Sequence, residues 1–156
     1  MAKKLSAGIV LYRRRETGIE VLLVHPGGPF WAKKDDGAWS IPKGEYVEGD
    51  DPLSVAKREF AEETGSELRG SCAELPPARQ PSGKIIRAWA VEGDLDAASI
   101  RSNSFSMEWP PKSGRVQSFP EVDRALWCDV ALARRKLLPG QRALLDELEQ
   151  QIRIGT

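Results

Sequence analysis

The sequence predicts a single α/β domain, and three observations carry that expectation. Short strand-like runs rich in Val, Ile and Leu occur together with stretches of helical periodicity. Gly and Pro punctuate the joins between them. At 156 residues and 40% hydrophobic content the chain has the usual size of one domain and enough apolar material for a real core. No internal repeat, low-complexity tract or linker interrupts it, so residues 1–156 are read as one domain.

The elements follow in order. Leu5 to Arg13 reads as a strand through Ile9, Val10, Leu11 and Tyr12. Thr17-Gly18 marks a turn, and Glu20 to His25 is a second strand, so the two form a hairpin. Its continuous Val21-Leu22-Leu23-Val24 run predicts burial on both faces. Pro26 to Gly37 is a long loop of the kind that serves function or moves. Trp39 to Pro42 is a short extended piece, and Gly44 to Asp51 a second loop.

Pro52 to Thr64 is the strongest helix. Asp51 is a good N-cap, Pro52 suits the first turn, and Gly65 is a natural stop. Leu53, Ala56 and Phe60 make its apolar stripe. Ser71 to Gly83, with Pro76, Pro77 and Pro81, is loop or edge. Lys84 to Glu92 is a central strand, Ser99 to Pro120 irregular, and Arg124 to Asp129 a last strand. Two helices close the chain, at Asp129 to Leu137 and Pro139 to Ile154, the second with Leu144, Leu145, Leu148 and Ile152 facing a core.

Bulk properties exclude several function classes. Basic and acidic residues number 23 each, so there is no broad basic field for coating nucleic acid. Cys72 and Cys128 lack zinc spacing and form no disulfide framework, which leaves buried free thiols as the expectation. The Met-Ala-Lys-Lys start resembles a signal n-region, but the apolar run after it is too short and ends in Arg13-Arg14-Arg15. No stretch approaches the roughly 20 apolar residues of a membrane span. A cytoplasmic protein, monomer or homodimer, is expected.

Glu59, Glu62 and Glu63 are spaced i, i+3 and i+4 on the predicted helix, so they share about one turn of one face. Three like charges there repel, and they stand near the helix C-terminus, where anions are disfavoured. Arg58 offsets one charge. A hard divalent cation, Mg²⁺ or Mn²⁺, would offset more, since it favours carboxylate and carbonyl oxygens. From spacing alone, a solvated acidic face remains the alternative.

The stretch from Gly44 to Asp50, then seven residues, then Arg58-Glu59-Phe60-Ala61-Glu62-Glu63-Thr64-Gly65-Ser66, closely resembles the Nudix hydrolase box, G-x5-E-x7-R-E-U-x-E-E-x-G-U, where U is a bulky aliphatic residue. The box spans residues 44–66. Asp50 departs from the family Glu and Ser66 from the aliphatic residue. The resemblance implies an α/β/α sandwich around a mixed sheet. It implies that Glu59 and Glu63, with Glu62 nearby, hold Mg²⁺ together with the Gly44 carbonyl. It also implies that Asp50 and Arg58 support the box, and that the reaction is hydrolysis of a phosphoanhydride in a nucleoside diphosphate linked to another moiety.

Two further segments, Ile41-Pro42-Lys43-Gly44 and Phe119 to Trp127, resemble the dinucleoside polyphosphate (Ap4A) hydrolase and NTP pyrophosphohydrolase branch. There a loop Glu six residues before a Trp reaches the metal site, and Glu121 fits that position before Trp127. With Glu59 and Glu63 committed to metal, Glu62 and Glu121 are the candidates for the base. Lys43, Lys84 and Arg87 are candidates for holding phosphate, with ordinary surface roles as the alternative.

Trp109, Phe105 and Trp31 are candidates for stacking on a base, with packing under a loop as the alternative. His25, the one histidine, ends a buried strand and suits a structural or phosphate contact better than metal ligation. ADP-ribose or a sugar nucleotide is a second substrate class, since Pro81 stands about 15 residues past the box, where that branch often carries Pro. A non-catalytic nucleotide-binding regulatory module is a third possibility, but such modules typically lose box carboxylates and this chain keeps all three.

Overall fold

A computed structural model describes residues 4–155. The hairpin at the start is β1 (Leu5–Arg15) and β2 (Gly18–Pro26), joined antiparallel through Tyr12↔Val21 to Arg15↔Gly18. The other half of the same β1 edge pairs with β3 (Lys43–Tyr46), from Leu5↔Tyr46 to Gly8↔Lys43. The β1 edge therefore forks, with β2 taking one end and β3 the other. On its far side β1 runs parallel to β5 (Ile85–Glu92). β4 (Ala73–Arg79) closes that side, and β8 (Val122–Asp129) pairs with β2 on the other. One parallel pair among antiparallel ones makes the sheet mixed, in the order β4-β5-β1-β2-β8.

The sheet has helices on both faces, and the strand period of two sorts its residues between them. Ala7, Ile9, Leu11, Leu22, Trp89 and Val91 pack with Val55, Ala56 and Phe60 of α1 (Pro52–Thr64). Val10, Val21, Leu23, Ala88 and Ala90 face Ala133 of α2 (Val130–Lys136) and Leu144, Leu145 and Leu148 of α3 (Ala143–Gly155). The continuous apolar run of β2 is thus split between two cores, as its pattern predicted. The architecture is an α/β/α sandwich in a single domain. No described helix is long and apolar enough to cross a membrane.

Helix α1 begins and ends where the sequence placed it. The Asp51 carboxylate accepts from the Ser54 N–H at 3.2 Å, and Gly65 takes a left-handed conformation at φ 76° with its N–H on the Ala61 carbonyl. β4 is an edge strand whose register slips between Leu75 and Ala78, at Pro76-Pro77, so the prolines sit where no ladder bond is lost.

Two of the expected elements are otherwise. Gly44 to Asp51 is not all loop, because its first residues form β3. That strand carries no apolar pattern and exists through backbone pairing with β1. Ser99 to Pro120 is not irregular, because it holds a hairpin of β6 (Ser104–Glu108) and β7 (Val116–Pro120) outside the main sheet. Only Phe105↔Phe119 gives that hairpin an aromatic cross-strand pair, at 6.0 Å between rings, so its strand pattern is faint. The two cysteines are free, but only Cys128 is buried, while Cys72 is partly exposed. His25 is fully buried, with Nδ1 2.9 Å from Asp123 Oδ1 and Nε2 2.7 Å from the Lys34 carbonyl. It braces the Pro26–Gly37 loop against β8, a structural role.

Candidate metal centre and active site

Three elements meet at the acidic face of α1. Glu59 and Glu63 come from its last two turns, Gly44 from β3, and Glu121 from the join between β7 and β8. Glu59, Glu63 and Glu121 each offer a carboxylate oxygen, and the three atoms lie within 4.8 Å of one another. Gly44 lets β3 come this close, because a Cβ there would overlap the Glu59 carboxyl group.

The carboxylates crowd each other in a poorly hydrated place. Burial, and then the Glu59 charge, push Glu63 up to about 8. Burial and Glu62 also raise Glu59 and Glu121. Lys43 gives partial relief, since its backbone N–H donates to the Glu63 carboxylate. Its own ammonium is pushed down to about 8 by burial and by Lys84 beside it. A converging set of hard oxygen donors short of positive charge fits Mg²⁺ or Mn²⁺.

Beside the carboxylates lies a cavity of about 230 Å³ bordered by Lys43, Glu63 and Glu121. Trp31, Ile41, Val122 and Leu138 form its apolar wall. A lysine and two carboxylates thus adjoin a wall that suits a flat ring.

The other predicted residues lie elsewhere. Glu62 stays outside the three-carboxylate group and sits 3.9 Å from Arg58, with its side chain 35% exposed. Arg58 is also 3.7 Å from Glu59. Asp50 is not within ion-pair reach of Arg58. It folds back on its own loop, accepting from the Val47 N–H at 3.3 Å, because its side chain is a carbon shorter than the expected Glu. Lys84 reaches Glu45 at 3.3 Å and adjoins Lys43. Arg87 is held by Glu74 at 2.7 Å and lies over the Trp89 ring, and it does not border the cavity.

Among the aromatics, Trp31 borders the cavity and Trp109 does not. Trp109 stands at the tip of the β6–β7 hairpin with its ring edge-on to Phe30 at 5.4 Å, and Phe105 packs against Gly28. Which ring faces the cavity depends on how the Pro26–Gly37 loop folds, and no local pattern in the sequence announces that.

The family model of the NUDIX domain matches residues 2–148. The chain belongs to that family. The carboxylates of its Nudix box are those of α1, and Gly44, the first box residue, is the glycine pressed against Glu59.

Solved Nudix structures share the fold at low identity. One is an Ap4A hydrolase from C. elegans in a binary complex, 21% identical, with 94% of this chain and 97% of that one covered and a TM-score of 0.63. Another is the NUDIX domain of Shewanella oneidensis NrtR complexed with ADP ribose, 16% identical, covering 97% and 90%, TM-score 0.64. A third is a mutT/nudix family protein from Listeria innocua, 17% identical, covering 99% and 97%, TM-score 0.63.

Proposed function

We propose that this Nudix pyrophosphohydrolase is metal-dependent and cuts a phosphoanhydride bond in a nucleoside diphosphate linked to another moiety, with a dinucleoside polyphosphate or an NTP as substrate. The observation that carries it is the convergence of Glu59, Glu63 and Glu121 next to Lys43 and an apolar wall. Glu59 and Glu63, with the Gly44 carbonyl that the family resemblance implies, are the groups that would hold Mg²⁺ or Mn²⁺. What such an ion supplies there is neutralisation of phosphate charge and a more acidic water.

The chain's own residues do the rest. Lys43 holds a phosphate oxygen at the cavity mouth, and Lys84 adds charge behind it. Trp31 offers a face for the base. Of the two base candidates, Glu121 borders the same cavity as Glu63 and Glu62 does not, so Glu121 is favoured as the group that takes the proton from water. The two free thiols fit a reducing, cytoplasmic compartment.

The resemblance of Ile41 to Gly44 and of Phe119 to Trp127 to the dinucleoside polyphosphate branch supports the substrate class. ADP-ribose is the second reading. It is favoured by the ligand of the NrtR domain and by Pro81, which lies in an exposed turn that Gly83 closes on the Gln80 carbonyl at 2.8 Å. A panel of dinucleoside polyphosphates, NTPs, ADP-ribose and inositol pyrophosphates, assayed with Mg²⁺ and with Mn²⁺, separates these. Glu63→Gln is expected to lose nearly all activity and Glu121→Gln a large part. Full activity in Glu63→Gln removes the metal-holding role.

A further inference from the structure

Glu121 has no helix to hold it, yet its peptide is tied on every side. Its N–H donates to the Asn103 carbonyl at 2.8 Å, and its own carbonyl accepts from the Gly27 N–H at 2.9 Å. The next N–H, of Val122, donates to Ser102 Oγ at 3.0 Å. The same Ser102 hydroxyl donates to the Asn103 carbonyl at 2.8 Å. Asn103 in turn donates its N–H to the Glu62 carbonyl on α1 at 2.8 Å. An unbroken run of hydrogen bonds therefore links the helix that carries Glu59 and Glu63 to the backbone of Glu121.

Ser102 is the one side chain in that run, and it uses its hydroxyl both ways, as acceptor and as donor. Gly27 presses on the same backbone from the opposite side. A Cβ there would overlap the Pro120 carbonyl oxygen and come within 2.9 Å of its carbon. Both contacts fix the backbone of residues 120–122, and a small shift in that backbone swings the Glu121 carboxylate out of the group of three.

We propose that Ser102 and Gly27 are positioning residues that set where the Glu121 carboxylate meets Glu59 and Glu63. This rests on the role given to Glu121 above. Removing the Ser102 hydroxyl leaves the Val122 N–H without its acceptor and frees the Asn103 carbonyl from one of its two donors. The carboxylate then samples positions outside the group.

The test is a double-mutant cycle. Ser102→Ala is made in the parent and in Glu121→Gln, and Ser102→Thr in the parent, with kcat and KM measured on the best nucleotide of the panel and Mn²⁺ affinity by titration calorimetry. Ser102→Ala is expected to lower kcat about tenfold with KM nearly unchanged, since misplacements of about 1 Å cost up to roughly 100-fold. It should leave Mn²⁺ affinity close to the parent value, since Glu59 and Glu63 would hold the ion, and add nothing to the kcat defect of Glu121→Gln. Ser102→Thr should restore the parent values, and Gly27→Ala should behave as Ser102→Ala does. Unchanged kcat in Ser102→Ala, equal fold losses in both backgrounds, or failure of Thr to restore activity overturns the proposal. Full activity in Glu121→Gln alone would instead overturn the role of Glu121 itself.

Discussion

Gly44→Ala tests the centre without replacing any carboxylate. The added Cβ would overlap Cγ, Cδ and Oε1 of Glu59, whereas ordinary carbon contacts begin at about 3.5 Å, so the carboxylate must retreat by roughly 1 Å or more. A misplacement of about 1 Å at a reacting centre costs on the order of 100-fold. That corresponds to about 2.7 kcal/mol at roughly 1.36 kcal/mol per tenfold. Stability should move in the opposite sense or barely at all. Gly44 is not among the glycines with positive φ, and Ala in a strand is worth about 0.5–1 kcal/mol over Gly. The assay is initial rates over a Mg²⁺ titration, paired with thermal melts. The expected outcome is kcat/KM down about 100-fold with the melting temperature held. A variant that melts like the parent and hydrolyses within about threefold of it would show that close approach of β3 to Glu59 is irrelevant to the chemistry.

Three further outcomes follow from other parts of the molecule. Trp31→Ala should raise KM about tenfold, within the roughly 1–3 kcal/mol that a stacked base contributes, while Trp109→Ala leaves KM unchanged; equal effects would remove the distinction between cavity and hairpin tip. Burial pushes the Cys128 thiol up to about 11, so a thiol reagent at neutral pH should titrate Cys72 alone in the folded protein and both after denaturation. The Asp35 carboxylate is held below its usual range by hydrogen bonds from Lys136 and Trp39. Its contribution to stability is therefore present above the ordinary Asp pKa and lost as pH falls through the lowered one. Asp35→Asn should lower stability across the neutral region and leave the most acidic end little changed, so that the acid limb of a stability-against-pH curve flattens.

How much was legible in the sequence depended on how local the causes were. Helix α1 was readable to the residue because Asp51, Pro52 and Gly65 act within a turn of where they stand. The grouping of Glu59 with Glu63 needed only helical spacing. Glu121 lies 58 residues beyond Glu63, and only the resemblance of its segment pointed to the site. β3 and the β6–β7 hairpin were missed because pairing with another strand, not their own composition, makes them strands. Arg87 was left open between a phosphate contact and a surface role because a strand shows its face only once its register is known. Asp50 was expected to support the box with Arg58, and its shorter side chain instead holds its own loop at Val47. The Gly27-Gly28 pair was visible as loop composition, yet its close fit to Pro120 and Phe105 needed the folded chain to be seen.

The fork in the β1 edge has a consequence for which part of the molecule opens first. β3, with Gly44 on it, is joined to the sheet along one side through residues 5–8, at the start of β1. A piece hung this way can detach while both cores stay packed, so its amides should exchange with solvent through local opening at a lower cost than those of β5. Ligand that grips the glycine and the helix together would stitch the detachable piece down. Protection of Lys43 and Gly44 amides against deuterium should therefore report occupancy of the centre, and shortening the chain through Leu5 should loosen the centre before it loosens the fold.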